Sequence, residues 1–164
     1  TRLLLRELNL DDTKALFSLR TSKEVNTFIE RNTPKNLSET RAFIDMISNI
    51  VARNEGVFWV IESKQNNELI GTIGLRNFKA ENQYAEIGYE LHPDYQQKGL
   101  MGEAIKEVVN FGFENLYLNT IEAFTHKNNR SSIALLEKHH FVLQPKKRDQ
   151  GFEHNRIFKL ENKE

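Results

Sequence analysis

Cysteine is absent from the 164 residues of the sequence. This absence excludes a disulfide framework, a thiolate zinc site and a cysteine nucleophile. It is compatible with the cytoplasm, where we expect the protein to reside. Long apolar runs are also lacking: Leu3-Leu4-Leu5 is bracketed by Arg2 and Arg6 and is too short for a signal peptide, and no later run approaches about 18 residues. The sequence therefore predicts a soluble chain without a membrane partner.

An excess of charge of either sign is lacking too, because Lys and Arg number 23 and Asp and Glu also number 23. Such a balance gives no long-range attraction for nucleic acid, and the basic cluster 146–148 lacks interleaved aromatic residues, so we interpret it as a solvated edge. Because the charges balance, any polyanion must be held by local donors.

The five histidines form no H-E-x-x-H pattern or mixed ligand cluster, so no metal site is expected.

The length and a hydrophobic content of 38% suit one domain over residues 1–164, with no internal repeat or linker. Hydrophobic periodicity predicts the order strand, two helices, three strands, helix, strand, helix, two strands. Strands are predicted at 2–8, 57–61, 69–78, 85–91 and 121–125, with two more from 141 to 160; helices are predicted from 11, from Ser38 as N-cap, after 99 and over 129–139. This order predicts an α/β protein with a mixed sheet of about six to seven strands and helices on both faces.

The most informative segment runs from a strand through a polar turn with Gly99 and Gly102 into an amphipathic helix. The first turn of a helix has unpaired N–H groups, and glycine allows a phosphate to approach the main chain. The spacing is neither that of a P-loop nor that of a dinucleotide fingerprint. An ordinary strand-to-helix turn has the same layout, so spacing alone leaves both interpretations open.

Two blocks of the sequence resemble those of a known family. Residues 85–89, followed by 95–99 and Glu103-Ala104, resemble motif A of the GNAT N-acetyltransferase superfamily. Residues 129–141, which begin Asn-Arg-Ser-Ser, resemble the N-x-x-S block of the branch that acetylates the N-termini of ribosomal proteins. Together with the opening residues 2–6 and the element order, the resemblance covers essentially the whole chain.

The resemblance implies a sheet splayed in the middle, with the pantetheine arm of acetyl-coenzyme A lying in the gap like an extra strand. By that analogy the backbone of Tyr89, Glu90 and Leu91 should meet the pantetheine and the acetyl group. The pyrophosphate should be held by the amides of Gln97, Lys98, Gly99, Leu100, Met101 and Gly102. Asn129 and Ser132 should contact the arm from the other side.

The sequence departs from the family pattern at three positions. Met101 takes the second small position of motif A, with Gly102 one residue late, so we expect a displaced or crowded pyrophosphate turn. Leu136 stands where many members have a tyrosine general acid, and the resemblance to the ribosomal-protein branch implies that Ser132 acts as the acid instead. His140 replaces a glycine after the last helix, where we expect a positive φ at some strain.

Amine acetylation requires a neutral amine, a polarised thioester carbonyl and a proton for the leaving thiolate. Glu86, on the polar face of its strand, is our candidate general base, and the N–H groups near residues 89–91 are candidates to bind the oxyanion. Two alternatives remain equally open. Glu86 is then only a solvated or ion-paired residue, and Ser132 is only a helix-capping residue.

We predict an acetyl-coenzyme A-dependent N-acetyltransferase whose acceptor is a protein N-terminal amine. The alternatives are an enzyme for small amines, of the polyamine or aminoglycoside type, and a non-catalytic coenzyme A-binding module. The acceptor cleft is expected around residues 25–35 and 145–155. The sequence leaves both a monomer and a homodimer open.

Overall fold

The computed structural model describes residues 1–163, which form seven strands and four α-helices. The strands are β1 Leu3–Arg6, β2 Val57–Ser63, β3 Glu68–Lys79, β4 Tyr84–Leu91, β5 Thr120–His126, β6 Val142–Leu143 and β7 Asn155–Glu161. The helices are α1 Thr13–Thr21, α2 Leu37–Ala52, α3 Leu100–Glu114 and α4 Arg130–Lys138. Short 3₁₀ turns lie at Leu10–Asp12, Val25–Phe28, Ala80–Asn82 and Pro93–Tyr95.

All strands join one sheet in the order β1-β2-β3-β4-β5-β7-β6. Neighbouring strands are antiparallel except for β4 and β5, which are parallel and pair only from Tyr84 with Thr120 to Ile87 with Ala123. Beyond Ile87, β4 continues beside β3 as far as Leu91 while its other edge lies open. The predicted mixed sheet, splayed in the middle, is therefore confirmed.

Two hydrophobic cores lie on opposite faces of the sheet. Neighbouring residues of β2 show the division, because Val60 belongs to the core under α1 and α2 whereas Ile61 belongs to the core under α3 and α4. Alternation of side chains along a strand produces this division. The predicted helices on both faces are confirmed.

The start of α2 corrects one prediction, since Asn36 rather than Ser38 is the N-cap. Asn36 has an extended backbone, and its Oδ1 accepts a hydrogen bond from the Glu39 amide at 2.9 Å. Glu39 in return accepts one from the Lys35 amide at 2.8 Å. Asparagine and serine cap helices about equally well, but the acidic residue lies three positions after Asn36, which is the capping-box spacing.

The end of α4 follows the expectation from the sequence. His140 has φ of 66°, and its amide donates to the Glu137 carbonyl at 3.0 Å. A left-handed residue at this position ends a helix while satisfying one of its last carbonyl groups.

Candidate active site

A cleft of about 1440 Å³ opens where β4 and β5 part. Its walls include residues from both faces of the sheet, such as Glu86 on one face and Tyr89 on the other. Residues 27–31 line it beside α1 and α2, and Asp149, Phe152 and Asn155 line it from the last hairpin. Both predicted acceptor segments therefore contribute to this cleft.

The turn that leads into α3 presents a run of free amide groups. Gln97 and Gly99 have φ of 57° and 76°, and the first bond at the helix start runs from the Glu103 amide to the Gly99 carbonyl at 3.2 Å. Among the described residues, none of the amides of residues 97–102 donates a hydrogen bond. Consecutive free amides at the positive end of a helix dipole form a site for an anion.

Five of the six residues predicted to hold the pyrophosphate line the cleft, namely Gln97, Gly99, Leu100, Met101 and Gly102. Lys98 does not, because its Nζ donates to the Asp94 carbonyl at 2.6 Å and its own carbonyl accepts from Arg2 Nη2 at 2.9 Å. Arg2 thus holds the turn from outside the cleft. Lys98 can contribute its backbone there but not its charge.

The departure at Met101 has a packing explanation. Met101 is buried in the core shared by α3 and α4. A Cβ on Gly102 would lie only 3.0 Å from His139 Nε2, which is tighter than ordinary contacts. A side chain at residue 102 would therefore displace His139 where α3 meets α4.

At the start of α4, Asn129 is the N-cap and Ser132 is not. Asn129 Oδ1 accepts a hydrogen bond from the Ser132 amide at 3.1 Å. The buried Ser132 hydroxyl instead lies 2.7 Å from the hydroxyl of Tyr89. The capping interpretation of Ser132 is therefore wrong, and its hydroxyl is paired with a side chain from β4.

The side chain of Tyr89 was missed by the sequence analysis, which considered only its backbone. Burial raises the pKa of Tyr89 to about 12, against the opposing effect of its hydrogen bond to Ser132. The phenol is therefore protonated at neutral pH and able to donate. Leu136, at the family's tyrosine position, is buried in the core, so Tyr89 brings a hydroxyl to this part of the cleft from a different element.

Glu86 lies on the opposite face of β4, with its side chain 15% exposed. Its Oε2 accepts a hydrogen bond from Asn77 Nδ2 at 2.8 Å, and its Oε1 lies 3.3 Å from the Tyr84 hydroxyl oxygen. The nearest cation is Arg76, whose Nε is 3.8 Å away and whose side chain is 66% exposed. An exposed ion pair of this length is weak, so the carboxylate remains available to the cleft.

Glu122 lies beside Glu86 because the parallel register of β4 and β5 pairs these two residues. The Tyr84 hydroxyl donates to Glu122 at 2.9 Å, and Lys147 forms an ion pair with the same carboxylate. Burial and the two carboxylates raise the pKa of Tyr84 well above its usual range. Residues 146–148 are all exposed, as the interpretation of a solvated edge expects, and Lys147 in addition neutralises the buried charge of Glu122.

The side chain of Glu90, predicted to contribute only its backbone, forms a second ion cluster. It is 5% exposed and accepts a hydrogen bond from the Thr72 hydroxyl at 3.3 Å. Arg31 Nη1 lies 2.5 Å from Glu90 Oε2, and Arg20 Nη1 lies 3.6 Å from Glu90 Oε1. No local sequence signal links these residues, since they come from three separate segments of the chain.

The histidines and the helices of the described residues form neither a metal site nor a membrane span. Within residues 1–163, no group of three or more His, Asp, Glu or Cys side chains could hold a metal ion. The helices of the same range include none long and apolar enough to cross a bilayer. His139 packs against Gly102 instead, and burial lowers its pKa, with a further contribution from Lys138 and His140.

The parted sheet, with an anion site at a helix start beside the gap, defines a protein of the acyltransferase class. Residues 2–142 match the profile of the acetyltransferase (GNAT) domain. The chain therefore belongs to the GNAT acetyltransferase family and is an N-acetyltransferase by family, as the motifs indicated.

Several known proteins are similar to this chain. The uncharacterized N-acetyltransferase p20 of Bacillus licheniformis is 33% identical over 148 residues, which are 90% of this chain and 83% of that protein. The ribosomal-protein-S5-alanine acetyltransferase of Vibrio fischeri superposes with a TM-score of 0.87 at 17% identity, over 99% of this chain and 94% of the other. The spermidine N-acetyltransferase of Vibrio cholerae, solved with coenzyme A and spermine, superposes with a TM-score of 0.81 at 20% identity, over 96% and 93%. At these identities the structural likeness is one of fold.

Proposed function

We propose that the chain moves the acetyl group of acetyl-coenzyme A to a primary amine by direct attack, with a protein N-terminal amine as acceptor. The observation that carries the proposal is the parting of β4 and β5 beside the free amides of residues 97–102. A pyrophosphate matches the amides, and an extended amide-containing arm matches the open edge of β4. Both features belong to the same cleft.

The residues of the coenzyme side have distinct roles in this proposal. The amides of Gln97, Gly99 and their neighbours bind the pyrophosphate. The backbone of Tyr89, Glu90 and Leu91 pairs with the pantetheine arm, because β5 leaves that edge of β4 free. Asn129 lines the opposite wall of the cleft and can contact the arm through its Nδ2, since its Oδ1 caps α4.

The acceptor reaches the thioester from the other face of the sheet. Gly88 lies between Glu86 and Glu90 on that face, and a Cβ placed on Gly88 would meet no atom within 4 Å. This position therefore opens onto free space in the cleft. An amine beside Gly88 would lie next to Glu86, which accepts its proton directly or through a water molecule.

The chemistry needs no covalent intermediate on the protein. The amine nitrogen forms a bond to the thioester carbonyl carbon, and the bond from that carbon to sulfur breaks. Glu86 takes the proton that the amine loses, and Ser132 gives a proton to the leaving thiolate and takes one back from solvent in the cleft. Tyr89 acts as a positioning residue, because its hydrogen bond orients the Ser132 hydroxyl. N–H groups near residues 89–91 stabilise the oxyanion.

Two acceptor classes are supported by different observations. A protein N-terminus as acceptor is supported by the N-x-x-S block at residues 129–141. It is also supported by the likeness in fold to the ribosomal-protein-S5-alanine acetyltransferase. The likeness to the spermidine N-acetyltransferase supports a small amine as the second candidate. A wide cleft of about 1440 Å³ is compatible with the first, since a peptide needs more room than a single amine.

The test is release of free thiol from acetyl-coenzyme A with a panel of N-terminal peptides, ribosomal proteins, polyamines and aminoglycosides. We expect turnover with N-terminal peptides, and kcat reduced about 100-fold or more by Glu86→Gln and about tenfold or more by Ser132→Ala. Exposed residues outside the cleft provide matched controls in Glu107→Gln and Ser48→Ala, which should behave as wild type.

The alternatives give different results in the same assay. Turnover with small amines alone would assign the enzyme to the second acceptor class. Binding of acetyl-coenzyme A without turnover across the panel would support a non-catalytic module. Absence of acetyl-coenzyme A binding would contradict the proposed function itself.

A further inference from the structure

Two arginines converge on Glu90 in the acceptor side of the cleft wall. Arg20 lies near the end of α1, and Arg31 lies between α1 and α2. The three side chains are largely buried, with exposures of 14% for Arg20, 15% for Arg31 and 5% for Glu90. Two guanidinium groups against one carboxylate leave a net positive charge where the dielectric constant is low.

One edge of the Arg31 guanidinium has no partner. Nη1 faces Glu90, whereas the buried Nε and Nη2 have no hydrogen-bond partner among residues 1–163. Nε and Nη2 lie on the same edge of the planar group, and this edge binds both oxygens of a carboxylate or phosphate in parallel. Buried charged donors without a partner are costly, so Arg31, which lines the cleft, gains by turning this edge toward an anion bound there.

Arg20 adds positive charge on the other oxygen of Glu90. At 3.6 Å its Nη1 is too far from Glu90 Oε1 for a direct hydrogen bond. Its guanidinium carbon lies 3.9 Å from the centre of the Phe43 ring, which holds the cation against an apolar surface. Glu90 therefore positions Arg31 while Arg20 leaves the cluster with an uncompensated positive charge.

The distance along β4 relates this cluster to the amine. Glu86 and Glu90 lie on one face of the strand, four residues and about 13 Å apart. With Glu86 as the base for the amine, an anion at Arg31 would lie several bonds from the reacting nitrogen. The α-carboxylate of a free amino acid is too close to its amine to reach both.

We propose that the Nε–Nη2 edge of Arg31 binds a carboxylate or phosphate group of the acceptor, which makes the acceptor an anionic amine. This inference rests on the proposed function, since it concerns the acceptor of the same reaction. On an N-terminal peptide the anion is an acidic side chain near the terminus, and on a small amine it is a phosphate. A polyamine would instead bring positive charge to Arg20 and Arg31.

The first test measures anion binding without turnover. The Nε–Hε signals of arginine are recorded by ¹⁵N NMR during titration with inorganic phosphate and with acetate. The Arg31 signal is assigned by its loss in Arg31→Lys, and Arg41→Lys on the exposed face of α2 serves as the control. We expect the Arg31 signal to shift saturably with at least one anion while the Arg41 signal does not.

A contrary result has a specific structural meaning. Asn26 Oδ1 is also buried without a partner among residues 1–163. A water molecule between Asn26 and the free edge of Arg31 would satisfy both groups internally. The Arg31 signal would then stay unmoved by either anion, and this result overturns the inference.

The second test compares matched acceptors with wild type and Arg31→Lys, since lysine keeps the charge facing Glu90 but lacks the two-nitrogen edge. One pair is a peptide with Asp or Asn at its third residue, and the other is an amino sugar with or without a phosphate. We expect wild type to prefer the anionic member of one pair, and Arg31→Lys to lower that preference about tenfold or more. The pair that responds identifies carboxylate or phosphate.

Failure of this inference is distinguishable from failure of the proposed function. Binding of acetyl-coenzyme A is measured by calorimetry in the absence of acceptor. If binding and turnover are normal and wild type and Arg31→Lys show the same preference within both acceptor pairs, only the role of Arg31 is overturned. Loss of acetyl-coenzyme A binding in the wild type contradicts the proposed function.

Discussion

The two sides of the cleft are constructed differently. The proposed coenzyme side consists mainly of backbone groups, namely the amides of residues 97–102 and the open edge of β4. The proposed acceptor side consists of charged side chains, with Glu86, Glu90, Arg20 and Arg31 on its walls. Backbone groups can bind the same coenzyme whatever side chains the residues have. Charged side chains, in contrast, select acceptors of complementary charge. We therefore expect the coenzyme side to be shared across the family and the acceptor side to distinguish the individual enzyme.

The largest expected effect comes from filling the acceptor side at Gly88. Gly88→Val should lower kcat/KM for the acceptor on the order of 100-fold, because the new methyl groups enter the space next to Glu86. The melting temperature should stay close to that of wild type, since a Cβ there meets no atom within 4 Å. Steady-state kinetics and thermal unfolding by circular dichroism provide the measurements.

Gly74 is the cross-strand partner of Gly88 and gives a matched control. A Cβ on Gly74 would lie 2.6 Å from the Val57 carbonyl oxygen, so Gly74→Val should destabilise the fold by about 1–3 kcal/mol. Equal destabilisation by the two substitutions would show that Gly88 does not face open space. Unchanged acceptor kinetics in a stable Gly88→Val variant would place the acceptor elsewhere.

A smaller effect is expected from the backbone of the coenzyme side at Gly99. Gly99 has φ of 76°, which a β-branched residue adopts only with strain, so Gly99→Val should reshape the turn and raise the Kd for acetyl-coenzyme A about tenfold. Lys98→Ala should change this Kd less than about twofold, because its Nζ is directed to the Asp94 carbonyl. Calorimetric titration provides the measurement.

Gly151 separates strain from function in this experiment. It has φ of 84°, and a Cβ there would also meet no atom within 4 Å. Gly151→Val should therefore cost about 1–2 kcal/mol of stability while leaving the Kd for acetyl-coenzyme A unchanged. A similar Kd in all three variants would argue against the turn as the pyrophosphate site.

The difference between local features and contacts of distant segments explains which features the sequence could predict. The turn after β4, the block that begins at Asn129 and the left-handed His140 depend on neighbours in sequence, so local patterns sufficed to locate them. The pairing of Tyr89 with Ser132 depends on how two elements pack, and that of Arg31 with Glu90 depends on how a connecting segment crosses the sheet. Neither arrangement leaves a periodic or spacing signal.

The capping of α2 and the alignment of Glu86 with Glu122 illustrate two further limits. Asn36 and Ser38 are both good capping residues, and the extended backbone of Asn36 together with its three-residue spacing to Glu39 distinguishes them. Glu86 and Glu122 are opposite each other because of the register of a parallel pair, which no local pattern around either residue indicates. The position of the Glu86 carboxylate on the polar face of its strand was therefore predictable, but the residues that surround it were not.

The smallest expected effect concerns Tyr89, where the two sides of the cleft meet. Tyr89→Phe removes the hydroxyl that lies 2.7 Å from Ser132 and should lower kcat severalfold with the KM for the acceptor unchanged. The substitution should also alter stability at high pH. Burial raises the pKa of Tyr89 from 10.0 to about 12, so the folded state favours the neutral phenol.

The sign of the pH effect follows from linkage. The stability that the neutral Tyr89 contributes is fully present below about pH 10 and is lost as the pH rises toward 12, where only the unfolded state has released its proton. Wild type should lose about 2 kcal/mol more than Tyr89→Phe between about pH 9 and pH 12, measured by urea unfolding.

Tyr84, whose pKa is also raised, contributes to the loss in both proteins. Tyr117, which is 71% exposed, provides the control in Tyr117→Phe, which should follow wild type. Parallel losses in Tyr89→Phe and wild type would mean that the phenol ionises as freely as one in water, and would contradict the burial of Tyr89 as the cause of its raised pKa.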